Sequence, residues 1–171
     1  MAIKFTGTRY LFPNTPFTGW TGTRSSLFFR VRYEVGGSTA FTQVQVVGRQ
    51  FYDAPVGRLT YASGVLSLTL SVRFLVATAV TKTFTILPGV NYQFGLTHDG
   101  VTGQQVAYLN GVAYPFGSVA EAAYNNNHQF LIGPGNATGS LPTDFICSLE
   151  DVATCDDVIV SAQDLDRKSV V

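Results

Sequence analysis

Charge is the first thing this chain lacks. Its 171 residues include 11 Lys plus Arg and 11 Asp plus Glu, so only 13% is charged and the formal net charge is zero. A globular protein ordinarily carries about 25% charged residues. There is no basic run, which removes the electrostatic footprint of nucleic-acid binding. Arg24, Arg30 and Arg32 come nearest to a patch, and Arg30 and Arg32 share one strand face, the pattern of a solvated surface. Cysteine is scarce too. Cys147 and Cys155 alone make neither a disulfide framework nor a zinc site, and eight residues of separation does not favour a bond between them. With two histidines in the chain, no imidazole cluster presents itself. Long apolar runs are missing as well. Leu66 to Val80 is interrupted by Ser67, Thr69, Ser71 and Arg73 with period two, which is strand and not a membrane span. The opening MAIKFTGTRYLFP has no basic segment followed by an apolar block, so no secretory signal is read there.

What is present is apolar and turn-rich. Hydrophobic residues make up 46% of the chain, and 17 Gly and 7 Pro are scattered as punctuation and not gathered in a linker. The length suits one domain over residues 1–171, with 166–171 a frayed tail. Strand candidates recur at short spacing, as in a sandwich or barrel. Ile3 to Phe5 and Arg9 to Phe12 are short ones. Leu27 to Val35 places Phe29, Val31, Tyr33 and Val35 on one face, with Phe28, Arg30, Arg32 and Glu34 on the other. Thr42 to Val47, Gly57 to Ala62, Val65 to Phe74, Thr81 to Ile86 and Asp144 to Val152 follow the same rhythm. Helix signals are few: one turn over Ser118 to Tyr124, and a capping pattern at Ser161 to Leu165.

Residues Tyr92 to Gly133 say most about architecture. Tyr92, Phe94, Leu96 and His98 alternate with polar or small partners, and Val106 and Tyr108 continue on the next strand. Asn110-Gly111 supplies the two positive-φ positions of a type I′ hairpin. The predicted interior holds Phe29, Val31, Tyr33, Leu68, Leu70, Val72, Phe94, Leu96, Val106, Tyr108, Ile132, Phe145 and Leu149.

A sequence of motifs also carries a resemblance. Leu96-Thr97-His98-Asp99-Gly100 leads into Val106 to Leu109 and the Asn110-Gly111 hairpin, then into Phe130-Leu131-Ile132-Gly133. Phe145 to Val152 and Ser161-Ala162-Gln163-Asp164-Leu165 follow in order, and Ile3-Lys4-Phe5-Thr6-Gly7 opens the chain. In this order and spacing the C-terminal half resembles the concanavalin A-like lectin/glucanase superfamily, in its laminin G-like form. Cys147 stands where that family has Gly, Cys155 near a usual aromatic, and the Trp before the central strand is absent. The resemblance implies an all-β fold: a two-sheet antiparallel β-sandwich of jelly-roll, concanavalin A-like type. It implies no single function.

The chemistry-bearing residues are sparse. Hydrolases of this fold use a Glu-x-Asp-x-x-Glu strand, and that spacing does not occur here. Glu150 and Asp151 are adjacent and are expected on opposite faces. His98 beside Asp99 has no nucleophile in a Gly-x-Ser-x-Gly elbow, so it reads as a turn histidine. The chain is therefore expected not to be an enzyme. Aromatic and amide residues in two loops have the chemistry for sugar rings and hydroxyls: Tyr52 and Asp53, and Tyr124, Asn126 and His128. Trp20 is a further loop aromatic, either anchor or contact. No cofactor is expected apart from calcium, for which Asp53, Asp99, Asn136 and Asp144 are loop oxygen donors.

These readings point to a non-catalytic structural or adhesive protein on the surface of a virus particle, a bacteriophage decoration or fibre-type component that binds glycan. Its partners are expected to be copies of itself and capsid or tail proteins, with a cell-surface glycan and no nucleic acid or membrane. Phe41, Thr42, Gln43, Gln45 and Val47 suggest an uncharged strand face near the surface that favours a homo-oligomer. The alternative is a carbohydrate-binding module of a secreted, extracellular bacterial protein.

Overall fold

Period-two alternation over most of the chain dictates strands, and in the computed structural model it produces eleven of them among the residues that the structure describes: 3–6, 23–34, 40–49, 56–124, 130–135 and 145–156. They are β1 (Ile3–Thr6), β2 (Arg24–Glu34), β3 (Phe41–Arg49), β4 (Val56–Ala62), β5 (Val65–Val72) and β6 (Val80–Ile86). After these come β7 (Tyr92–Asp99), β8 (Gln104–Leu109), β9 (Val112–Ser118), β10 (Phe130–Gly135) and β11 (Ile146–Asp156). A six-stranded sheet has the order β1-β11-β2-β7-β8-β9, and a five-stranded sheet the order β10-β3-β4-β5-β6. Every pairing is antiparallel. The fold is thus the two-sheet antiparallel β-sandwich that the strand rhythm predicts.

No helix occurs among the described residues. The stretch expected to turn helically near Ser118 to Tyr124 is extended at Ala123, which bridges Phe74. The Ser161 to Leu165 pattern and the strand expected at Arg9 to Phe12 lie outside the described residues. Both tight hairpins form where the sequence places them. Asn110 and Gly111 have φ of 50° and 81°, and Ser63 and Gly64 have 52° and 78°. Two successive positive φ values are what a type I′ turn demands.

Aromatic rings join the sheets. Phe94 of the six-stranded sheet lies 5.7 Å from Phe29 and 5.8 Å from Phe84 of the opposite sheet, centroid to centroid. At the other side of the core, Phe145 packs edge-on to Phe41 at 5.1 Å and against Tyr33 at 5.3 Å. These distances lie in the range where ring pairs add to simple area burial. Phe28 faces away from this core yet is also buried, because its ring lies over Gly95 and against Tyr108 at 5.9 Å. A Cβ at position 95 would collide with that ring.

Three strands depart in part from the faces read in the sequence. On β8, Val106 and Tyr108 are only half-buried, and Gln105 and Ala107 point inward. The reason is register: Ala107 pairs with Leu96 and Gln105 with His98, and directly paired residues share a face. A polar residue among apolar ones disguised which face was inner. On β10, Leu131 is fully buried, whereas Ile132 is half-buried against the core, next to a bulge before Gly135. On β3, Phe41, Gln45 and Val47 are buried together with Val44 and Val46, so both faces of the strand are covered and neither forms a surface face. The side chains of Thr42 and Gln43 lie outside the described residues.

Inward Gln105 is fully satisfied. Its Oε1 accepts from the Val119 N–H, and its Nε2 donates to the Val119 carbonyl, each at 3.0 Å. This pair of bonds assigns the amide orientation, so Nε2 is also the donor to His98 Nδ1 at 3.0 Å. Cys147 and Cys155 are both free and lie on one strand, eight positions and roughly 25 Å apart at strand rise, which rules out a bond between them. Burial pushes the Cys147 thiol up to about 12, so it stays protonated at neutral pH.

The stability of the sandwich is testable at its centre. Leu68 is fully buried on β5. Leu68→Ala is expected to lower unfolding stability by about 2–5 kcal/mol in denaturant titration. A change near zero contradicts the assigned face of β5.

Candidate functional site

The outward face of the six-stranded sheet carries one row in which four polar residues meet. Arg30 on β2 pairs in register with Glu150 on β11 and with Gln93 on β7. Asn110, in the β8–β9 turn, donates its N–H to the Gln93 carbonyl at 2.8 Å, and its side-chain oxygen accepts from the Gln93 N–H at 2.9 Å. The row therefore reads Glu150, Arg30, Gln93, Asn110. With Asn91 and Tyr92 these residues line a groove of about 300 Å³. Tyr92 is braced from behind, its hydroxyl accepting from the Leu87 N–H at 3.0 Å.

A bulge adds a second carboxylate to this row. The register between β11 and β2 shifts between Glu150 and Ala153, and Asp151 has a φ of 49°. That left-handed backbone breaks the strict alternation of faces. Asp151 therefore reaches Arg30 Nη1 at 3.0 Å, although Glu150 is the residue that pairs with Arg30. The sequence reading put Glu150 and Asp151 on opposite faces; in the structure Asp151 binds the Arg30 guanidinium while Glu150 stands in register with Arg30 on the same outward face. No residue in Glu150-Asp151-Val152 advertises a bulge, so alternation alone predicted the wrong side for Asp151.

The groove was not among the sequence candidates. Its signal was available: Arg30 and Gln93 both alternate outward, and the Asn110-Gly111 turn sets the β8 register. Only the pairing of β2 with β7 and β11, which are far apart in sequence, brings them together.

The predicted loop residues fare differently. Tyr52, Asp53, Asn126 and His128 lie outside the described residues, as do Trp20, Asn136 and Asp144. Tyr124 is half-buried, with the Arg73 guanidinium 4.9 Å above its ring and its N–H bonded to the Arg73 carbonyl. It belongs to the end of the sheet where Phe74 meets His98, on the order of 20 Å along β7 from the groove. Asp99, a predicted calcium donor, is occupied by its own turn. Its Oδ1 accepts from the N–H groups of Val101 and Thr102 at 2.9 and 3.3 Å, and from Arg24 Nε at 3.3 Å. Burial pushes this carboxyl up, but the Val101 and Thr102 N–H bonds and Arg24 outweigh it and hold the group below its ordinary range. His98 is not a turn residue. It is fully buried beside Phe74 and Gln105, while Asp99 pairs with Arg24 instead. Glu121 likewise serves the fold: it accepts from the Val76 and Ala77 N–H groups at 2.9 and 3.1 Å. The Val76 bond foremost holds its carboxyl below the ordinary range, against a smaller opposing push from burial. Among the described residues, no group of three or more His, Cys, Asp or Glu is placed to hold a metal ion.

No family model matches this chain, and no curated protein matches it in sequence. Solved structures do match in shape. The receptor binding domain of botulinum neurotoxin D aligns with a TM-score of 0.69 at 9% identity, over 98% of this chain and 43% of that one. The type G receptor binding domain aligns at 0.61 and 13% identity, over 98% of this chain and 45% of that one. The CBM40 of a Ruminococcus gnavus IT-sialidase, solved bound to alpha2,3 sialyllactose, aligns at 0.62 and 12% identity, over 97% of this chain and 95% of that one. The chain thus spans less than half the length of the neurotoxin domains and nearly the whole of the CBM40. At such identities the likeness is one of fold, and the fold it shares is that of β-sandwich binding domains.

Proposed function

We propose that this chain is a non-catalytic glycan-binding module and that the Glu150, Arg30, Gln93, Asn110 row is its sugar-binding surface. The observation that carries this reading is the groove itself. Amides, a guanidinium and a carboxylate converge there from three strands and a turn. Sugar hydroxyls both donate and accept. Asn91, Gln93 and Asn110 amides match them in both roles, Arg30 adds donors and Glu150 adds acceptors. At about 300 Å³ the groove is at the small end of ligand sites, which suits the end of a glycan better than a length of its chain. Its floor is a sheet, so the side chains are held on rigid elements. Support from outside comes from fold neighbours solved with sugars: the CBM40 with alpha2,3 sialyllactose, and a botulinum neurotoxin serotype D binding domain with N-acetylneuraminic acid.

Hydrolysis does not follow from the two carboxylates. A glycosidase needs one carboxyl kept protonated, usually by an apolar pocket, beside one kept ionised. Asp151 is half-exposed and held by Arg30, and the groove lining around Glu150 is polar.

The binding reading is tested by titrating the chain with a panel of oligosaccharides and following affinity in variants. Gln93→Ala is expected to weaken binding about tenfold, the value of roughly one hydrogen bond. Tyr124→Ala, at the other end of β7, is expected to leave it unchanged. The reverse pattern moves the site to the loops and contradicts this assignment.

The setting of the module is a separate proposal: many copies on the surface of a virus particle. Low charge supports it, as do exposed apolar side chains at Leu75, Val76, Leu87 and Val101. Sedimentation of the chain together with imaging of its source is expected to show self-association and particles. A monomer at high concentration with no particle contradicts this setting and favours a secreted binding module.

A further inference from the structure

We infer that the groove selects uncharged sugars over acidic ones, and that Glu150 sets this preference. The inference rests on the reading of the groove as a glycan site and adds the class of glycan that it takes. It comes from how the charges on the outward face are paired. Arg30 Nη1 is bound by Asp151 at 3.0 Å, and Arg32 Nε by Glu34 at 2.7 Å. Glu150 lines the groove and has no ion-pair partner among the described residues. The groove lining holds Arg30 and Glu150, and with Asp151 on Arg30 Nη1 two carboxylates surround the single guanidinium there.

An acidic sugar has to bring its carboxylate to Arg30, because that is the one cation in the lining. There it meets two obstacles. Asp151 already occupies Nη1, and Glu150 stands directly across the strand pair from Arg30. Displacing the first leaves an unpaired carboxylate nearby, and approaching the second places two like charges within a few ångströms. A neutral sugar meets neither obstacle. Its hydroxyls donate to Glu150 and accept from the amides and from the guanidinium N–H groups that Asp151 leaves uncovered. The sugars present in the two fold neighbours, N-acetylneuraminic acid and alpha2,3 sialyllactose, are of the acidic class that this groove is expected to disfavour. The Asp151 bulge matters here because without its left-handed backbone the side chain would fall on the other face and leave Arg30 open to an anion.

The test uses the full chain and pairs of oligosaccharides that differ by one acidic residue, for example lactose and 3′-sialyllactose, titrated by calorimetry or NMR at low ionic strength. Neutral members are expected to bind at least about tenfold more tightly than their sialylated counterparts, the size of one like-charge contact under near-surface screening. Added salt is expected to narrow the gap. Glu150→Gln is expected to narrow it to a few-fold, and Asp151→Asn to raise affinity for the acidic member by freeing Arg30. Thermal unfolding of both variants checks that they fold. Equal or tighter binding of the acidic member, abolished by Arg30→Ala, overturns this inference and leaves the glycan reading standing. A gap that Glu150→Gln leaves unchanged also overturns it. Binding of no glycan in the panel defeats the glycan reading, and this inference with it.

Discussion

The register of β2 between β11 and β7 is the constraint on which the rest depends. Strand side chains alternate with period two, so a slip of one residue would carry Arg30 and Arg32 into the core and expel Phe29, Val31 and Tyr33. Burying an unpaired guanidinium is far more costly than losing one apolar contact, so the alternation on β2 admits one answer. That answer sets the inward aromatic layer. It also puts Arg30 level with Glu150 and Gln93 on the outward face. Core and groove are two faces of the same pairing.

Other features hold the ends of this arrangement. At one end of β7 the Asn110-Gly111 turn is tied to Gln93 by two bonds, which fixes the height of the groove wall. At the other end, Gln105 ties β8 to the Val119 backbone and to His98, and Asp99 closes its own turn. These polar side chains cap backbone groups that would otherwise be left unpaired at strand ends. They account for several residues whose chemistry looks functional in the sequence and is structural in the fold. Between the ends, Phe28 covers Gly95 and adds an apolar rung beside the polar one.

Much of the fold was legible in the sequence because alternation reports directly which face is buried. Phe29, Val31, Tyr33, Leu68, Leu70, Val72, Phe94, Leu96, Phe145 and Leu149 all fall inside as the pattern says. The clearest failure is on β8. On β8 the inward positions are Gln105 and Ala107, a polar residue and a small one, while the outward Val106 and Tyr108 look like core. Alternation cannot see that Gln105 meets its hydrogen bonds from a distant backbone segment. The candidate site was less legible for a related reason. Loop residues such as Tyr124 have sugar-like chemistry, but a binding surface is made by neighbours across strands, and Arg30, Gln93 and Glu150 are separated by most of the chain. The bulge at Asp151 has no sequence signature at all, and it alone decides what Arg30 is paired with.

The glycan-binding proposal rests on a sheet face that gathers amides, one arginine and a carboxylate, groups that match sugar hydroxyls. The position of the ligand is the central claim. A crystal structure of the chain with a bound oligosaccharide tests it most directly. The account predicts a sugar ring seated over Gln93, hydrogen-bonded to Asn110 and Glu150, with the Arg30–Asp151 pair intact. A sugar bound instead at the end of the sheet near Tyr124, or one that breaks that pair to reach Arg30, contradicts it.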